Sequence, residues 1–100
     1  MRQGEVWARV DVLAHALIVS ADMYNNAGTG RVIVCPVIPG DPLPQDDYAA
    51  DACIADPIPG TVLPELVAWL PTSALSHSLG PISEDAWLRV DQILCRVLGH

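Results

Sequence analysis

One hundred residues suffice for one domain, residues 1–100, with a modest core, and a chain that is 51% hydrophobic is not a disordered one. Lysine is absent and five arginines stand against twelve carboxylates, so the net charge of −7 excludes the dense basic stripe of a duplex-coating protein. No apolar run reaches membrane-spanning length, and the opening MRQGEVWARV lacks the apolar block of a signal peptide, so the expectation is a cytoplasmic protein with no membrane partner.

Residues 4–12, GEVWARVDV, predict a first strand, with Val6, Ala8 and Val10 on one face and Trp7 and Arg9 on the other. Residues 14–19, AHALIV, predict a second strand almost directly after it. Ser20 fits the N-cap of one short helical turn over residues 21–26, and AGTG at 27–30 is a turn. Residues 31–37, RVIVCPV, are β-branched enough for a buried central strand, in which Pro36 marks a bulge or the end.

Residues 39–51, PGDPLPQDDYAAD, form an irregular acidic segment, where Asp41, Asp46, Asp47 and Asp51 lack the spacing of a calcium loop and read as solvated. Residues 52–58 predict a strand turned at Pro59-Gly60, and residues 61–70 another that Pro64 breaks or bulges. Residues 71–79 read as a connector. Ser83 then caps a helix from about Glu84 to Leu98, with acids in its first turn, Arg96 in its last and Gly99 to stop it. Trp87, Val90, Leu94 and Val97 or Leu98 share its apolar face.

The architecture this predicts is α+β and mainly β: a small barrel or curled antiparallel sheet with a C-terminal helix. Phenylalanine is absent, so Val, Leu, Ile and Ala must fill the core, with Trp7, Trp69 and Trp87 as its large pieces. Cys35, Cys53 and Cys95 lack CxxC spacing and read as buried small hydrophobes, and His15, His77 and His100 are too scattered for a zinc motif. No metal or cofactor is expected. The apolar excess points to an oligomer interface.

The opening RQGEVW, then LIVSADMYNNAGTGRVIVCPV, PELVAWL, LGPISED and the final helix follow one another in an order that resembles the MazF/PemK toxins. These are endoribonucleases of bacterial toxin–antitoxin pairs. The resemblance implies an SH3-like barrel, a homodimer, a single-stranded RNA substrate, and a cognate antitoxin that binds through its C-terminal segment. The CcdB gyrase poisons share the fold, so a non-catalytic toxin directed at a protein target such as gyrase, or a degenerate antitoxin-binding subunit, stands as the alternative.

In this family the RNA 2′-hydroxyl attacks its own phosphodiester without a metal. An Arg-Pro pair entering the second strand and a hydroxyl just after the third usually assist. Matching through Ser20 puts Ala14-His15 on the Arg-Pro pair, and matching through Pro36 puts Ile38 on the hydroxyl. The usual long loop between the first two strands shrinks to residues 11–13. Glu65 stands for the family's usual Asp, and Leu66 for the Gln after it. The catalytic candidates are therefore His15, whose imidazole can accept or donate a proton, and Arg9, both bordering that short turn. Arg31, Ser20 and Asn25 are the candidates for holding RNA, by charge-assisted contact to phosphate, a hydroxyl and a base-edge amide respectively.

Overall fold

The computed structural model describes residues 1–10, 12–40 and 52–99. Its strands are β1 (Glu5–Arg9), β2 (His15–Ile18), β3 (Arg31–Pro39), β4 (Ala52–Ile54), β5 (Gly60–Val62), β6 (Ala68–Pro71) and β7 (Leu75–Pro81). Its helices are α1 (Asp22–Asn25) and α2 (Glu84–Leu98), with 3₁₀ turns at Pro64–Leu66 and Thr72–Ala74. The strands form one antiparallel sheet ordered β4-β5-β3-β2-β1-β7, with β6 also paired to β3.

The long strand β3 organises this sheet. One edge pairs with β2 throughout Val34–Val37, while the other changes partner, from β6 over Arg31–Val34 to β5 over Val37–Pro39. Pro36 sits in the gap between those partners. Its carbonyl accepts from the Leu63 amide at 2.9 Å, so its missing N–H faces the same gap and no ladder bond is lost. The strand therefore runs through Pro36 to Pro39 rather than ending there.

Alternation along β2 and β3 sends successive side chains to opposite faces, and each face carries a core over part of its length. Leu17, Cys35 and Val37 join Val6 beneath α2 in the larger core, while Ala16, Ile18, Val32, Val34 and Leu75 form a second core. The second core is closed by Met1, Trp7 and Leu70. It exists because residues 71–79 are not a connector: after one 3₁₀ turn they form β7, which pairs back onto β1 and curls the sheet. The sequence hides β7 because Ser76, His77 and Ser78 are exposed and two register shifts interrupt its pairing, so no clean alternation marks it.

Other expectations shift in smaller ways. The first strand is confined to Glu5–Arg9, and only Ala52–Ile54 of residues 52–58 is strand. Pro64 does break the predicted 61–70 strand, as the first residue of a 3₁₀ turn between β5 and β6. Gly60 opens β5 where a Cβ would come within 2.8 Å of the Ile38 carbonyl oxygen, so the close approach of β5 to β3 needs glycine there. The acidic segment and its four aspartates lie outside the described residues, save for its first two positions.

Helix α2 spans the residues its sequence signals. The Ser83 hydroxyl accepts from the Ala86 amide at 3.1 Å, and Gly99 turns left-handed at φ 74°. Its buried residues are Val90, Ile93 and Leu94, with Trp87 packed beside them. Val97 and Leu98 are exposed, so Ile93 takes the place expected of them.

Candidate functional site

His15 opens β2, opposite Ala8 of β1 and Val37 of β3. Sharing the parity of Leu17, it projects toward the α2 side of the sheet, at the end of the β1–β2 hairpin. Its ring is half-buried. Nδ1 is sealed from solvent with no hydrogen-bond partner among the described residues. A buried polar atom without a partner costs about 1–3 kcal/mol, which a structure ordinarily avoids unless the group has work to do.

Arg9 ends β1, opposite Leu75 of β7. It shares the parity of Trp7, whose side chain packs on the second core, so alternation sends Arg9 to the sheet face away from His15. The two catalytic candidates flank the same short turn but do not converge within one chain.

Ser20 and Asn25 do meet, as structural partners. Ser20 does not cap α1: Ala21 occupies that position and makes no side-chain cap. The buried Ser20 hydroxyl instead donates to Asn25 Oδ1 and accepts from the Ile33 amide at 3.1 Å. Asn25 Nδ2 returns to the Ser20 carbonyl at 3.0 Å and reaches that of Met1 at 3.5 Å. Gln3 adds bonds from its amide to Asp22 Oδ1 and from its side chain to the Val19 carbonyl. The polar atoms of both residues thus pin the β2–α1–β3 corner to the N-terminal segment.

Arg31 lies at the far end of β3. Its guanidinium sits 5.4 Å from the centroid of the Trp69 ring, a cation–π arrangement. Trp69 is not a core piece but is 59% exposed, and it faces Ile33 in the β3–β6 register. A tryptophan left open in a strand is a feature that the residue pattern does not announce. Pattern alone could not separate it from the half-buried Trp7 and Trp87.

Glu5 fastens β1 to its surroundings. Its carboxylate accepts from the Arg2 amide at 2.7 Å, from Trp7 Nε1 at 3.3 Å and from the Ser78 hydroxyl of β7 at 3.2 Å. Burial pushes its pKa up, but these hydrogen bonds and the N-terminal ammonium prevail and hold it below the ordinary 4.5. The thiols diverge from their common expectation: Cys35 is buried, Cys53 half-buried and Cys95 exposed. Burial pushes the Cys35 thiol up to about 12, which leaves it protonated and unreactive. Among the described residues, no three His, Cys, Asp or Glu side chains gather closely enough to hold a metal ion. Among them also, no helix is long and apolar enough to cross a membrane.

Comparison with known proteins places this geometry. A family model described as type II toxin–antitoxin system toxin Rv0299 matches residues 4–97. Toxin Rv0299 of Mycobacterium tuberculosis (strain ATCC 25618 / H37Rv) is 44% identical over 66 residues, which span 66% of this chain and 64% of that relative, just under two thirds of its length. Among solved structures, an endoribonuclease in complex with its cognate antitoxin, from a mycobacterial species, superposes with a TM-score of 0.83. It is 19% identical, over 99% of this chain and 95% of that one. A MazE–MazF complex from Deinococcus radiodurans gives 0.80 at 21% identity, over 100% and 97%. At these identities the structural likeness establishes the fold: a curled MazF-like sheet with a C-terminal helix.

Proposed function

The chain belongs to the Rv0299 family of type II toxin–antitoxin system toxins, and on that premise we propose that it arrests growth by cutting single-stranded RNA without a metal. The observation that carries this reading is the family match over residues 4–97 on a fold shared with endoribonucleases. That neighbours of this fold are MazF proteins and endoribonucleases supports RNA cleavage over a gyrase-directed toxin. Their capture with antitoxins supports a cognate antitoxin as the partner, and we propose that it binds through its C-terminal segment. The toxin acts in the cytoplasm as a homodimer, which would cover the exposed Leu88, Val97 and Leu98 of α2.

The chemistry asks little of the protein. The 2′-oxygen bonds to phosphorus as the bond to the 5′-oxygen breaks; one proton leaves the 2′-hydroxyl and one reaches the departing oxygen. His15 is the candidate for proton transfer, and its support is the buried Nδ1, which no hydrogen bond among the described residues fixes in one tautomer. Arg9, on the other face, has no part in the same proton transfer within one chain.

The test is incubation of the purified protein with a long RNA in EDTA, beside separate His15→Ala and Arg9→Ala variants. Cleavage by the wild type, abolished in H15A and retained in R9A, is the expected result. Intact RNA after incubation with the wild type overturns the enzymatic reading.

A further inference from the structure

The exposed tryptophan has a setting of its own. Ile33 and Trp69 face each other across the β3–β6 ladder, and Arg31 and Pro71 form the next same-face pair. All four point to one face, where α2 does not reach to cover them: Ile33 and Trp69 stay exposed while Cys35 and Val37, further along β3, are buried. The indole thus lies open on a rigid sheet, with a guanidinium 5.4 Å from its centroid. Directly before Arg31 stands the exposed turn Gly28-Thr29-Gly30, held against the end of β6 by the Thr72 amide donating to the Gly30 carbonyl at 2.9 Å.

We propose that Trp69, Ile33 and Arg31 form a stacking subsite that seats one unpaired nucleobase of the RNA, with Arg31 meeting the adjoining phosphate. It rests on the reading of this chain as an RNA-cutting toxin and adds to it a residue that selects where the strand lies.

The physical case turns on charge. A chain of net charge −7 repels RNA, so its grip must come from stacking and from locally placed cations rather than from a basic field. Only five cations are available, and one of them is parked on the exposed indole. An RNA strand offers that pair both complements at once, a π-face for Trp69 and an anion for Arg31. A second protein copy seated on the same patch would instead have to desolvate the guanidinium. The subsite is also remote from the proton-transfer candidate: His15 faces Val37, six residues along β3 from Arg31, roughly 20 Å at the rise of a strand. It governs binding and register, not bond breaking.

The experiment measures binding and cutting separately on the full chain. Binding uses a single-stranded RNA oligonucleotide with 2′-O-methyl riboses, which lack the attacking hydroxyl, followed by anisotropy and by tryptophan emission; sedimentation velocity reports assembly. Trp69→Ala should weaken binding roughly ten- to hundredfold, the loss of one stacked base. Trp69→Phe should restore most of it while removing the emission change. Arg31→Ala should weaken binding and flatten its salt dependence by about one phosphate contact. On long RNA, W69A should raise KM far more than it lowers kcat, whereas H15A should lose cutting and keep binding.

A wild type that cuts RNA beside a W69A variant with unchanged KM and affinity overturns the subsite alone. A W69A variant that falls to a smaller species with unchanged affinity makes the patch a subunit interface and overturns it too. If W69A does not fold, an emission change retained in W69F, or affinity unchanged in R31A, has the same force. A wild type that neither binds nor cuts overturns the subsite and the toxin's enzymatic reading together.

Discussion

The two halves of β3 share one strand and one alternation, yet they live in different surroundings. Around Pro36 and beyond it the strand passes to β5, and Cys35 and Val37 are sealed beneath α2, on the face where His15 holds a nitrogen that no described residue satisfies. Before Pro36 it pairs with β6, and the equivalent face presents Ile33 and Trp69 to solvent. The difference teaches that an apolar side chain in a strand reports its environment only through what lies above it. One helix of fifteen residues covers half the sheet and leaves the rest as surface.

The largest expected effect tests the covered half. Proton-transfer groups contribute roughly 10²–10⁴-fold, so H15A should reduce RNA cutting by that order with little change in circular dichroism or melting temperature. An active H15A variant would erase the functional contrast between the two halves.

Packing comes next. Ile93 is almost wholly buried in the core under α2, and Ile93→Ala should cost about 2–5 kcal/mol, read as a lowered midpoint in urea. Leu88→Ala, on the exposed side of the same helix, should cost under about 1 kcal/mol to the isolated fold, so the pair measures how strongly burial divides α2. Removing the cap with Ser83→Ala should cost about 1 kcal/mol by loss of the bond to the Ala86 amide.

The smallest effect sits on the β1–β7 seam that closes the uncovered half. Because the folded pKa of Glu5 lies below its ordinary value, its contribution is present above about pH 4.5 and is lost as pH falls through the lower folded value. Glu5→Gln should therefore flatten the acid limb of a stability–pH curve, by lowering stability at neutral pH and leaving it nearly as it was at the acid end. An unchanged acid limb would mean that the carboxylate adds nothing beyond its neutral isostere.

Much of the covered half was legible in the residues. Ser83, the acids after it and Gly99 bound α2, and its 3.6-residue period names most of its buried face. The β-branched run at 31–37 announces a central strand. Ile93, three residues past Val90, joins that face, while Val97 and Leu98 in the last turn stay exposed. The uncovered half was far less legible. The strand LSHSLGP carries too many polar residues to announce itself, and it is a strand because β1 offers an unpaired edge beside it.

The candidate site divides along the same line. Local chemistry makes His15 and Arg9 the catalytic candidates, because both flank one short turn. Sequence by itself determined the bounds of α2 and the order of motifs that marks the family, since capping, periodicity and apolar runs act over a few neighbouring residues. Only the tertiary structure decided that His15 and Arg9 leave the sheet on opposite faces, that Ser20 and Asn25 spend their polar atoms on a corner, and that Trp69 stays open beside Arg31. The physical reason is that facing, coverage and pairing are fixed by elements distant in the chain, through the curl of a sheet and the reach of a single helix.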